Sequence, residues 1–156
     1  MGRILTVAGI VFVLDQVSKY IVVHMMNLRE VIAIDVLPPY LNFRMAWNHG
    51  VNFGLFARES DSLRWGLIVL AILISAWVVW WVRREGGRWL PVFGGLLVGG
   101  ALGNVVDRVV YGAVADFLNM SCCGITNPYA FNVADISIFL GAVGLVLTPA
   151  GPQKTP

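Results

Sequence analysis

The chain has 156 residues, of which 58% are hydrophobic and 13% charged, and its mean hydropathy is +0.75. A soluble domain carries roughly 25% charged residues, so a water-soluble fold is excluded and a surface that faces lipid is implied. The net charge of +2 is small and scattered, which excludes a nucleic-acid-binding surface.

Four apolar stretches, about 4–23, 65–82, 89–108 and 129–147, each approach the ~20 residues a helix needs to cross a bilayer. The first has a charged entry at Arg3, as a signal peptide would. Asp15, Gln16 and Lys19 interrupt its apolar run and no small-x-small cleavage site follows, so it reads as a retained helix. Lys and Arg in the connections set the orientation. Arg3, Lys154 and the Arg83, Arg84, Arg88 link give five on one side, against Arg29, Arg44, Arg58 and Arg64, four, in the first long loop. Both termini are therefore expected in the cytoplasm.

The long loop, about 28–58, holds Val31-Ile-Ala-Ile-Asp-Val-Leu37 and Leu41-Asn-Phe-Arg-Met-Ala-Trp47 on either side of Pro38-Pro39. Their β-branched and aromatic content predicts a small β-rich platform on the outer membrane surface. The expected fold is all-α, four transmembrane helices in one domain over 1–156, carrying that platform and ending in a disordered tail from 149. Cys122 and Cys123 are adjacent, too close for an unstrained disulfide, and read as free thiols.

An ionisable side chain at the centre of a membrane helix costs roughly 2.5–3.5 kcal/mol on insertion scales, so those that persist are functional candidates. Asp15 and Lys19 lie four apart on one helix face. They scaffold a site or form an ion pair that makes insertion tolerable. In the third stretch Gly95, Gly99 and Gly103 make a smooth face for a close helix neighbour, and Asp107 continues the row. Gly100, Asn104 and Arg108 form the adjacent row. Asn104, Asp107 and Arg108 thus cluster at the outer end, either as site residues or with Asp107–Arg108 as a structural anchor.

Asp116, in Gly112-Ala-Val-Ala-Asp-Phe117, and Asp135, in Phe131-Asn-Val-Ala-Asp-Ile136, are single acids at matching depth. Each alone reads as a turn residue or a helix first-turn carboxylate. Brought together, two carboxylates share one proton. The ionised member takes a proton from water while the protonated one polarises a peptide carbonyl, which is aspartic-protease chemistry. Two other readings use the same acids. In one, Asp107, Asp116 and Asp135 hold a divalent metal for lipid phosphotransfer. In the other, Asp15 and Lys19 relay protons in a transporter.

Taken in order, five boxes carry a resemblance: Asp15-Gln-Val-Ser-Lys19, Asn48-His-Gly-Val-Asn-Phe-Gly54, Gly99-Gly-Ala-Leu-Gly-Asn-Val-Val-Asp-Arg108, Val114-Ala-Asp-Phe117 and Phe131-Asn-Val-Ala-Asp135. Together they resemble bacterial lipoprotein signal peptidase, or signal peptidase II, along essentially the whole chain. The resemblance implies a monomeric inner-membrane endopeptidase with its site near the outer face. Such an enzyme cleaves lipid-modified prolipoproteins on the N-terminal side of a diacylglyceryl-cysteine, works among membrane lipid and is blocked by the cyclic peptide globomycin. It implies Asp116 and Asp135 as the catalytic pair and no metal or cofactor. It further implies that Asp15, Lys19, Asn48, Gly50, Asn104, Asp107, Arg108, Asn132 and Ala134 support the site or bind substrate. Asn52 departs from the small residue common at its place in the second box, and Cys122-Cys123 looks particular to this chain.

Overall fold

The structure is a computed structural model that describes residues 2–50, 61–85 and 87–148. The first helix, α1, spans Gly2–Lys19 and runs on as a π-helical segment over Tyr20–Met25. A short helix α2 (Leu28–Val31) leads into strands β1 (Ala33–Leu37) and β2 (Leu41–Asn48). Then come α3 (Asp61–Arg84), α4 (Leu90–Tyr111), strand β3 (Val114–Asn119) and α5 (Val133–Leu147).

Three of these helical runs, Gly2–Met25, Asp61–Arg84 and Leu90–Tyr111, are long and apolar enough to cross a membrane. The fourth apolar helix, Val133–Leu147, is shorter, at 15 residues. It starts four residues later than the hydropathy suggests, because Phe131 pairs with Leu118 at the edge of the sheet and Asn132 caps the helix. Helix ends follow ordinary rules. Asp61 opens α3 and Arg83 and Arg84 close it. Pro91 lies in the first turn of α4, and Gly112 ends it at a left-handed φ of 81°.

The central helix is α4, which packs against α1, α3 and α5. Its glycines make this possible. A Cβ at Gly99 would lie 2.5 Å from the Ala8 carbonyl of α1, and one at Gly100 would lie 2.5 Å from the Ala134 carbonyl of α5. The two glycine rows therefore face two different helices. The buried stripe of α1 is Ile4, Ala8, Val11, Asp15 and Lys19, so its charged residues lie on the helix-contact face rather than toward lipid. Ile4, Ala8, Val78, Val82, Leu90, Leu97, Val98 and Leu145 close the apolar core between the helices.

The β platform differs from the sequence expectation in two respects. Its three strands run in the order β1-β2-β3, all antiparallel, and the third comes from the loop after α4 rather than from the first long loop. Residues 28–31 of the expected β region are helical. Residues 51–58 of that region, with Asn52, and the tail from 149 lie outside the described residues. Under the sheet, Phe117 packs with Val22 and Leu28. Cys122 and Cys123 are free thiols.

Candidate active site

Asp116 is placed by β3. In the β2–β3 register Ala46 lies opposite Asp116 and Asn48 opposite Val114, so Asn48 stands diagonally from Asp116. From there Asn48 Nδ2 donates to Asp116 Oδ2 at 3.1 Å.

Asp135 is placed by the start of α5. Asn132 is the N-cap and forms a reciprocal capping box with Asp135. The Asp135 amide donates to Asn132 Oδ1 at 2.9 Å and the Asn132 amide to Asp135 Oδ2 at 3.3 Å. Because Oδ1 of Asn132 is occupied by a backbone donor, its Nδ2 points the other way. It donates to Asp116 Oδ1 at 2.6 Å. One buried residue therefore holds both carboxylates.

The other oxygen of Asp135, Oδ1, accepts from Asn104 Nδ2 at 3.0 Å. The Asn104 amide is oriented in the same manner, since its Oδ1 receives Lys19 Nζ at 3.3 Å and Asn132 Nδ2 at 3.4 Å. Arg108, one turn on, donates to the Gly50 carbonyl at 2.9 Å, and the Gly50 amide donates to Asn48 Oδ1 at 3.2 Å. The chain end of β2 is thereby tied to α4.

Behind these groups lies a buried charge cluster. Lys19 Nζ sits 2.8 Å from Asp15 Oδ2 and 2.7 Å from Asp107 Oδ2, with the lysine and both acids buried. Asp15 Oδ1 accepts the Ala134 amide at 2.9 Å, fixing the first turn of α5 one residue before Asp135. Asp107 Oδ2 accepts the Ala115 amide at 3.1 Å, fixing β3 one residue before Asp116. A single cation and two carboxylates thus position the residue preceding each candidate catalytic acid.

Asp116 is buried, and that burial, followed by the negative charge of Asp135, pushes its carboxyl from an ordinary 3.8 up to about 8. Hydrogen bonds from Asn48 and Asn132 oppose the shift without cancelling it. The arrangement can keep one proton on the Asp116–Asp135 pair at neutral pH.

Every site residue expected from the sequence falls in this one network. Asp107 and Arg108 do not pair with each other: neighbours on a helix point about 100° apart, and Asp107 turns to Lys19 while Arg108 turns to Gly50. Asp107 also points away from any shared metal with Asp116 and Asp135, because Lys19, Gln16 and the Ala115 amide hold its oxygens. Among the described residues no three His, Cys, Asp or Glu side chains converge as ligands. Gln16, which the sequence shows only as a break in an apolar run, has a bridging role: its Nε2 reaches Asp15, Asp107 and the Gly103 carbonyl. Asn119, not singled out by the sequence, donates to the Asn127 and Tyr129 carbonyls and folds the loop that leads to Asn132.

Residues 7–149 match the family model of signal peptidase (SPase) II. The chain belongs to the signal peptidase II family. It is a membrane peptidase, and its relatives agree. It is 41% identical to the lipoprotein signal peptidase of Methylobacterium sp. (strain 4-46), over 92% of this chain and 86% of that protein. It is 36% identical to the lipoprotein signal peptidase of Pseudomonas syringae pv. tomato, over 99% and 91%. A bacterial membrane enzyme solved by the in meso method at 2.3 Å resolution superposes with a TM-score of 0.79 at 27% identity, covering 94% of this chain and 87% of that one. For this signal peptidase II family member, the buried network is the part of the fold that a packing argument alone leaves unexplained.

Proposed function

We propose that this chain is an aspartyl endopeptidase that removes signal peptides from diacylglyceryl-modified prolipoproteins, cutting on the N-terminal side of the lipidated cysteine. The observation that carries the reading is the Asn132 bridge, which holds Asp116 and Asp135 in one hydrogen-bonded unit. The relatives named lipoprotein signal peptidase supply the substrate class.

In this reading Asp116 holds the shared proton and hydrogen-bonds the scissile carbonyl, while Asp135 takes a proton from the attacking water. Proton transfer to the departing amine then restores the pair. Asn48, Asn104 and Asn132 fix the carboxylates, and Asp15, Lys19 and Asp107 hold the backbone beside each. Arg108 and Gly50 tie the end of β2 to α4 beside the acids.

The reading also sets the chain in the bacterial inner membrane as a monomer with four spans, both termini and the 83–88 link cytoplasmic, and the site near the outer face. Arg84 lies over the Trp80 ring at 4.5 Å and Arg88 over Trp89 at 5.7 Å. Such pairs suit the headgroup layer at that link.

The test is cleavage of a purified lipid-modified prolipoprotein and its unmodified form, with EDTA or globomycin added. Cleavage of the lipidated form alone, insensitive to EDTA and blocked by globomycin, is expected. Loss of activity on chelation contradicts the mechanism.

A further inference from the structure

A groove of about 430 Å³ runs along the first half of α5, with Asp135 in its lining. One wall is helical: Ile136, Phe139 and Leu140 follow at the spacing of one helix face, with Phe139 one turn below Asp135. The other wall is Asn127, Tyr129, Ala130 and Phe131 of the segment between β3 and α5. That wall is anchored, because Phe131 exchanges backbone hydrogen bonds with Leu118 and Asn119 holds the Asn127 and Tyr129 carbonyls. Phe139 is 67% exposed, Leu140 50% and Ile136 41%, on a helix whose composition belongs in lipid.

We infer that this groove seats an acyl chain of the substrate's own diacylglyceryl group and so aligns the scissile bond with Asp135. The inference rests on the proposed reading of the chain as a peptidase of lipidated substrates. Two properties single out this occupant. The groove is lined by a candidate catalytic residue, Asp135, and the lipidated cysteine adjoins the scissile bond, so its chains start within a few bonds of that residue. The groove's charge suits a diacylglyceryl thioether, which is neutral. Among the described residues the one charged side chain lining it is Asp135, so a phospholipid phosphate would meet a carboxylate with no described Lys or Arg beside it.

An acyl chain that moves from bilayer to groove leaves one apolar medium for another and gains little hydrophobic free energy. The groove therefore acts on alignment more than on affinity. Blocking it harms turnover of long chains, where misplacement matters, and spares short ones.

Two measurements test this. In the first, Leu140→Trp and Phe139→Ala are compared with the parent enzyme on model prolipoproteins bearing long or short acyl chains. Leu140→Trp is expected to lower kcat/KM for the long-chain substrate by about tenfold or more, and Phe139→Ala by less. Both losses should shrink with the short-chain substrate. Losses independent of chain length overturn the inference.

In the second, a long-chain diacylglyceryl peptide with a photoreactive group in its acyl chain is bound to the Asp116→Asn protein in vesicles, irradiated and mapped by mass spectrometry. Labelling within 136–140 that excess phospholipid does not suppress is expected. Labelling elsewhere, suppression by phospholipid, or labelling of 136–140 only from a probe in the signal segment overturns it. The labelling does not depend on turnover, so a failure of the peptidase reading shows as absent cleavage by the parent enzyme, separately from the position of the label.

Discussion

Asn132 Nδ2 lies 2.6 Å from Asp116 Oδ1, while the backbone amide of the same residue donates to Asp135 at 3.3 Å. The side chain that caps α5 is thus also the spacer between the two acids. Asn132→Ala removes the cap, worth about 1 kcal/mol of stability, and frees Asp116 to turn. Loss of activity should far exceed the loss of stability, with kcat down by about 100-fold and thermal unfolding only modestly earlier. Serine, which also caps helices but is too short to reach Asp116, should restore the unfolding temperature and not the rate.

On the proposed reading, the Asp116 carboxyl, pushed up to about 8, sets the basic limit of the reaction. Above that pH Asp116 loses the proton it would lend to the scissile carbonyl. kcat/KM is therefore expected to fall as pH rises through about 8. Asn48 donates to Asp116 and favours its charged form. Asn48→Ala should move the limit to higher pH while lowering the rate. A limit that stays in place, or moves down, contradicts the assignment of the proton to Asp116.

The same shift has a consequence for stability. The folded protein keeps the Asp116 proton to about 8, whereas an unfolded chain releases it near the ordinary 3.8. The folded state binds more protons in between, so stability declines as pH rises from about 4 to about 8 and levels off above. Asp116→Asn removes that decline. The variant should unfold at a higher temperature than the parent at pH 8, with the gap narrowing toward pH 5, as read by thermal unfolding in detergent.

Gly103 stands where a Cβ would lie 2.5 Å from Asp15 Oδ2. Gly103→Ala must displace the carboxylate that holds the Ala134 amide and, through it, the first turn of α5. Activity should drop at least tenfold. Gly9→Ala, which meets open space on α1, should leave activity unchanged. Equal behaviour of the two variants removes Asp15 from the site.

Helical spacing made much of this legible in advance. The Gly95, Gly99, Gly103, Asp107 row and the Asp15–Lys19 pair follow from a repeat of about four residues, a local property that sequence displays directly. The Asn132-x-x-Asp135 spacing also carries a capping-box signature, which was there to be read. Strand β3 was not legible. Val114-Ala-Asp-Phe-Leu-Asn119 has one β-branched residue, and its strand character comes from pairing with β2, some seventy residues away. The bridging role of Gln16 was hidden for a similar reason, since its partners Asp107 and Gly103 lie on another helix. Asp107 and Arg108, adjacent in sequence, reach different partners because neighbours on a helix point about 100° apart.

The central claim is that Asp116 and Asp135 together cleave the peptide bond. The most direct measurement is single-turnover cleavage of a lipid-modified prolipoprotein by purified Asp116→Asn and Asp135→Asn proteins, each checked for folding by thermal unfolding. Each amide keeps the shape of the site and removes the acid–base function, so cleavage should be undetectable in both while folding persists. Turnover at the parent rate by either folded variant would contradict the account.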